Sequence, residues 1–330
     1  MKSRNELCDC GSGKKFKHCH GKLPTPTSME NYPSDDVLLE LLKRADRKGL
    51  SLGESPAQRS FQNPIRALQE LGQEITVVMG PGTPPTLERA RQLNNNLFIP
   101  NELKQRASHI GVFLFRDMFC RLHAPIVLGE VNINFWDLVD LSNFQKGWLS
   151  DTETELSIFV DQAADIIDFG HGWSEFCGYQ NPDSRSRDLI WRSHMQLEAA
   201  AATATSTCDF RGTIQSALLG TELALKAGLA ARGISDEELR NPREFGHNLE
   251  AAAAKLGKLC NDFDADRVTR VVKTFPNFVK VRYTDPFPSR NETGHILMGA
   301  QYVASEVTRQ FTDRNIRKDQ SQLRARSYPK

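Results

Sequence analysis

Apolar residues recur at helical spacing through much of this chain. From Asp36 onward, Val37, Leu38, Leu41 and Leu42 form a stripe ending near Gly49, which predicts a helix. A second is predicted from Ala57 to Leu71. Glu74 to Met79 reads as a short strand running into Gly80-Pro81-Gly82-Thr83-Pro84-Pro85. That stretch is turn chemistry and not a phosphate loop, because the Gly-Lys-Ser/Thr ending is missing. Pro100 is predicted to open a long helix through Leu122, with Ile110, Phe113, Leu114, Met118 and Phe119 apolar nearly all round, as in a central helix. Ile126-Val127-Leu128-Gly129 reads as extended. The next helix is predicted from Thr152 to Phe169, with Leu156, Phe159, Val160, Ala163, Ile166 and Ile167 inward. Asp161, Asp165 and Asp168 share its opposite face. They could bind a divalent metal, but a solvated helix face is the preferred reading.

Pro182 to Phe311 reads as five helices. The first covers Arg187 to Thr205, where the Ala-rich run allows close packing. The second covers Phe210 to Arg232, with Ile214, Leu218, Leu225 and Leu229 in one stripe and Gly233 as the stop. Ser235-Asp236-Glu237-Glu238 fits a capping box. A third helix starts near Gly246-His247-Asn248-Leu249, a fourth covers Asp264 to Lys273, and the last runs from Asn291 to Phe311. The residues after Phe311 carry Arg314, Arg317, Lys318, Arg324, Arg326 and Lys330, and read as a solvated or disordered basic end.

A net charge of +1 over 330 residues, with 39% hydrophobic content, fits an ordinary folded protein and leaves nucleic-acid attraction to local patches. No apolar run is long enough to span a membrane, and the N-terminus lacks the apolar core of a signal peptide. No membrane partner is therefore expected. Of seven cysteines, Cys8, Cys10 and Cys19 crowd the start. Cys120, Cys177, Cys208 and Cys260 are scattered as free thiols, with Cys120 and Cys208 read as buried small hydrophobes. This usage predicts a reducing cytoplasm.

The first residues read Arg4-Asn5-Glu6-Leu7-Cys8-Asp9-Cys10-Gly11-Ser12-Gly13-Lys14-Lys15-Phe16-Lys17-His18-Cys19-His20-Gly21. Leu7 and Phe16 are nearly the only large apolar residues here, so hydrophobic burial cannot fold the segment. Three thiols and an imidazole can, by closing a tetrahedral set around one structural zinc ion. Gly11-Ser12-Gly13 supplies the reversal that returns Cys19 to Cys8 and Cys10. Lys14, Lys15 and Lys17 offset the negative charge of three thiolates on a dication and favour thiol deprotonation. His18 and His20 compete for the fourth position. Four protein ligands leave no open place for substrate, which excludes a catalytic zinc.

This segment resembles the SEC-C motif, the zinc-binding module found on SecA tails and attached to many bacterial proteins. Its usual pattern is Cys-Pro-Cys-Gly-Ser-Gly-Lys-Lys-aromatic-Lys-x-Cys, then Cys or His, then Gly. The match runs from Cys8 through Gly21 and departs at Asp9, where Pro is usual. The resemblance favours Cys8, Cys10, Cys19 and His20 as ligands of Zn2+. In SecA the module contacts a chaperone and the ribosome. The resemblance thus implies docking to a protein partner or ribosome.

The C-terminal helices resemble HEPN domains, helical bundles of bacterial toxins, defence proteins and RNA-processing enzymes. Three places carry this. They are Asp209-Phe210-Arg211-Gly212 leading into Glu222-Leu223-Ala224-Leu225-Lys226-Ala227, then Gly246-His247-Asn248-Leu249-Glu250, and Val281-Arg282-Tyr283 with Asp285-Pro286. The resemblance implies a homodimer, a stress or phage-defence setting, and RNA as a partner. HEPN ribonucleases pair an Arg with a His five residues on, a spacing met by Arg290 and His295. There an imidazole would move the 2′-hydroxyl proton without metal and a guanidinium would hold the phosphate. Against this, Asn291 could simply cap the helix and leave His295 an ordinary helical residue. His247 and Arg282 are second-rank candidates for ligand contact.

The expected fold is mainly α. It comprises a zinc knot at 1–22, a linker at 23–35, a helical middle domain at 36–170, a HEPN-like bundle at 182–311 and a basic tail at 312–330. The leading expectation is a zinc-binding adaptor. The alternative is a ribonuclease effector that uses Arg290 and His295, with the knot for targeting.

Overall fold

The computed structural model describes residues 6, 15, 33–73, 83–99, 107–127, 132–178, 184–241, 244–277, 288–322 and 324–329. Cys8, Cys10, Cys19, His18 and His20, the Glu74–Met79 strand and Arg282-Tyr283 lie outside these residues. The chain divides into two units, Met1–Gln105 and Arg106–Lys330. The fold is mainly α, as expected.

In the first unit, α1 (Asp35–Ser51), α2 (Pro56–Glu70) and α3 (Pro85–Asn95) begin at local start signals. Ser34 caps α1 ahead of Asp35 and Asp36, whose charges suit a helix N-terminus. Ser55 and Gln58 close a reciprocal capping box on α2, with Pro56 in the first turn. The expected helices from Asp36 and Ala57 are both present, and α3 is an addition to them. Leu38, Leu68, Leu87 and Ala90 form one core cluster, and Leu41, Leu42 and Ala67 another. Arg66 pairs with Glu54 and Arg59 with Asp46 in partly buried positions. Arg89 pairs with Asp35 across α3 and α1, and both side chains are about half exposed.

The second unit is built around a hairpin where a helix was expected. β1 (Ala107–Phe115) and β2 (Met118–Pro125) pair antiparallel, with Phe113 opposite Cys120 and Phe115 opposite Met118. Arg116 and Asp117 form the turn, and Arg116 takes a φ of 59°. The run from Ala107 to Phe119 is apolar on all sides because β1 is buried on both faces, and a doubly buried strand has the same all-round pattern as a central helix. The polar Arg116-Asp117 pair inside it marks the turn.

The outer edge of β1 is satisfied by side chains in place of a third strand. α6 (Ser184–Ser206) supplies Glu198, which accepts from Ile110 N at 3.0 Å. α11 (Arg290–Arg309) supplies Gln301, whose amide accepts from Val112 N and donates to Val112 O, both at 2.7 Å. Leu114 N reaches the Met298 sulfur at 3.2 Å. Buried backbone groups need such partners. Gly111 admits Gln301 and Ile166 at this edge, since a Cβ would lie 2.4 Å from Ile166.

α5 (Glu153–Gly172) packs on the hairpin, after the short α4 (Asn143–Ser150). α6 packs along α7 (Phe210–Ala231), and α11 packs against α5, α7 and β1. α8 (Asp236–Arg240) opens on the expected Ser235 capping box. α9 (Leu249–Leu259) is capped by Asn248 and α10 (Ala265–Lys273) by Asp264. α11 begins one residue earlier than expected. Ser289, and not Asn291, is its cap, in a reciprocal box with Glu292. α5 packs on α11 and on the hairpin, and α6 and α11 also pack on the hairpin, all within the unit Arg106–Lys330.

Asp161, Asp165 and Asp168 are not a solvated face. All three are buried, and their partners are arginines from the chain's end. Arg309 binds Asp165 at 2.6 Å and Asp168 at 2.8 Å. Arg324 binds Asp161 at 2.9 Å, Arg326 pairs with Asp165, and Arg317 lies 3.7 Å from Asp161. Ser327 N and Tyr328 N donate to Asp161, and Ile316 N donates to Asp168. The residues expected to form a solvated tail are therefore docked on α5, with α12 (Ile316–Ser321) among them. Burial pushes the Asp165 carboxyl up, but the Arg326 and Arg309 guanidiniums outweigh it and hold its pKa below the ordinary value. Cys120 and Cys260 are buried, whereas Cys208, between α6 and α7, is exposed, contrary to expectation.

Candidate functional site

The first turn of α11 carries Arg290. Its Nε donates to Asp117 O at 2.9 Å, and its guanidinium lies 4.6 Å from the Phe119 ring centre and 5.6 Å from that of Phe210. It thereby ties the β-turn to the start of α7. His295 lies on the same helix, but five residues of α-helix turn a side chain by about 140°. Its ring faces Tyr328 at 6.3 Å, and burial pushes its pKa down. The two residues read as a pair from their spacing have different neighbours: a hairpin turn and two phenylalanines for Arg290, the docked tail for His295.

His247 belongs to another constellation. Its Nδ1 lies 2.8 Å from Glu222 Oε2, while Lys226 donates to Glu222 Oε1 at 2.7 Å. Glu222 and Lys226 stand one turn apart on α7, and His247 comes from the turn before α9. The pair borders a cavity of about 220 Å3 lined by Leu218, Leu249, Val272 and Phe275. The carboxylate is nearly buried and the imidazole is exposed, so the ring is held in one orientation.

A third group was not singled out in the sequence. His109 on β1 and His194 on α6 bring their Nδ1 atoms to 3.0 Å. Glu198, one turn beyond His194, lies 3.8 Å from His109 Nδ1 through Oε1 and 3.7 Å from His194 Nε2 through Oε2. Trp173 stacks on the His194 ring at 4.4 Å, and the Phe169 ring meets His109 edge-on at 4.9 Å. Burial drives the His109 pKa far down, helped by His194, and that of His194 to about 4. Burial raises the Glu198 carboxyl against the opposing Ile110 N–H. Only the His194-to-Glu198 helical spacing was visible beforehand, and it is common.

Comparison with known proteins bears on the N-terminus. The family model described as the SEC-C motif matches residues 4–22. Over 20 residues the chain is 90% identical to a protein translocase subunit SecA of Albidiferax ferrireducens and 85% identical to one of Chromohalobacter salexigens. Over 21 residues it is 86% identical to a protein translocase subunit SecA of Anaplasma marginale. Each match covers 6% of this chain, which thus spans only 2% of the length of these curated relatives. No solved structure matches the chain significantly. Residues 4–22 therefore carry a SEC-C motif, a metal-binding module.

Proposed function

We propose that this chain is a zinc-binding interaction protein of the bacterial cytoplasm that docks macromolecules through its N-terminal module. The observation that carries this reading is the SEC-C match at residues 4–22, with near identity to SecA over the same stretch. The donor set fits zinc: Cys8, Cys10 and Cys19 supply soft thiolates, and His20 supplies a neutral nitrogen. Such a set is closed, so bound zinc would supply folding energy and no catalytic position. Lys14, Lys15 and Lys17 would then lie on the surface of a metal-folded knot, as a basic face suited to ribosomes or an acidic protein.

Arg290 and His295 give no support to a second, ribonuclease reading, since each is held by different neighbours. The HEPN-like reading of 182–311 adds homodimerisation and a stress or phage-defence setting to the proposal.

Ribosome co-sedimentation of the purified full-length chain tests it. Wild type should carry zinc and sediment with ribosomes at low salt. Cys19→Ser should lose both while keeping its far-ultraviolet helical signal. Unchanged co-sedimentation of Cys19→Ser would remove the module from docking.

A further inference from the structure

We propose that His109, His194 and Glu198 form a second metal site, which takes zinc or a similar first-row divalent cation and clamps β1 to α6. This stands independently of the N-terminal module. The three side chains offer one donor atom each, all within 4.8 Å of one another. Two nitrogens sharing a tetrahedral zinc at ordinary bond lengths stand about 3.3 Å apart. The 3.0 Å between His109 Nδ1 and His194 Nδ1 is close to that separation. Glu198 Oε1 lies 3.8 Å from His109 Nδ1, beside the same point.

The three side chains are oriented by their surroundings, as metal donors must be. Ile110 N fixes the Glu198 carboxylate at 3.0 Å. The indole of Trp173 lies nearly parallel to His194, with its Nε1 donating to Ser108 O. Phe169 closes the other side of His109. Gly170 allows this approach, because a Cβ there would lie 2.9 Å from His109 Cβ.

Packing alone accounts less well for the arrangement. Two neutral imidazoles with facing Nδ1 atoms can share only one hydrogen bond between them. His109, fully buried, also leaves Nε2 without a partner among the described residues. Ligation through Nδ1 would fix the His109 tautomer with its proton on Nε2. A cation would engage both Nδ1 lone pairs at once and neutralise Glu198. Two imidazoles and one carboxylate match zinc, cobalt or nickel better than magnesium or calcium, which prefer oxygen. Three protein donors leave a fourth position, which water can fill through the partly exposed Glu198 side.

Cobalt titration of the full-length chain is the test, in wild type and in Cys19→Ser. The proposed site has no sulfur, so it should add visible cobalt absorption without thiolate charge-transfer bands, and that absorption should persist in Cys19→Ser. Zinc should raise the melting temperature of Cys19→Ser. Adding Glu198→Gln, which keeps an acceptor for Ile110 N, should weaken zinc binding by at least about tenfold while the fold survives. His194→Gln should do the same. The proposal is overturned if Cys19→Ser shows neither sulfur-free cobalt absorption nor a zinc-dependent melting shift. It also fails if both persist unchanged with Glu198→Gln.

Discussion

Two ion pairs, one from each unit, handle charge in opposite ways. In the N-terminal unit the Asp35–Arg89 pair ties α1 to α3 at the periphery, where water solvates both partners. In the C-terminal unit Asp165 is surrounded by Arg309 and Arg326 with almost no exposure. An exposed pair exchanges one hydrated state for another and gains little. A buried pair has already lost its water, so removing one partner strands the other in a low-dielectric interior. The same residue types therefore have very different consequences, and depth decides which.

Breaking the buried network should have the largest effect. Arg309→Met leaves Asp165 and Asp168 short of their cation, and a loss of about 3–5 kcal/mol is expected in urea unfolding. Next is the β1 edge. Gln301→Leu removes both side-chain partners of Val112 and should cost about 1–3 kcal/mol for each backbone group left unpaired.

Acid offers a graded version of the first test. The folded-state pKa of Asp165 lies below its unfolded value of about 3.9, so its contribution is complete above that value and is lost as pH falls through the folded value. Stability measured by urea midpoint should therefore drop below about pH 4. The Asp165→Asn chain, already without that contribution, should show a flatter acid limb. At the small end, Arg89→Ala should leave the melting temperature unchanged within measurement scatter. A large shift there would erase the contrast between the exposed pair and the buried network.

Much of the helical framework was legible because its signals are local. Ser55 with Gln58 and Ser235 with Glu238 announce helix starts within four residues, and the Leu38, Leu41 and Leu42 stripe needs one helix to be seen. The SEC-C motif was legible for the same reason, its residues being contiguous in sequence. β1 was not, because burial on both faces erases the alternation that marks a strand, whereas β2 does alternate and was hidden by being read as the continuation of the same apolar run. The Asp161, Asp165 and Asp168 face misled for a different reason. Its arginine partners come from the last residues of the chain, and nothing local separates a carboxylate facing water from one facing a distant guanidinium. His109 and Glu198 likewise meet only because β1 lies against α6.

Metal binding by residues 4–22 through cysteine thiolates can be read from the cobalt spectrum of the full-length chain. Intense thiolate-to-cobalt charge-transfer absorption is expected, displaced by zinc and abolished by Cys19→Ser. Absence of that absorption in the wild-type chain, or its persistence in Cys19→Ser, would contradict it.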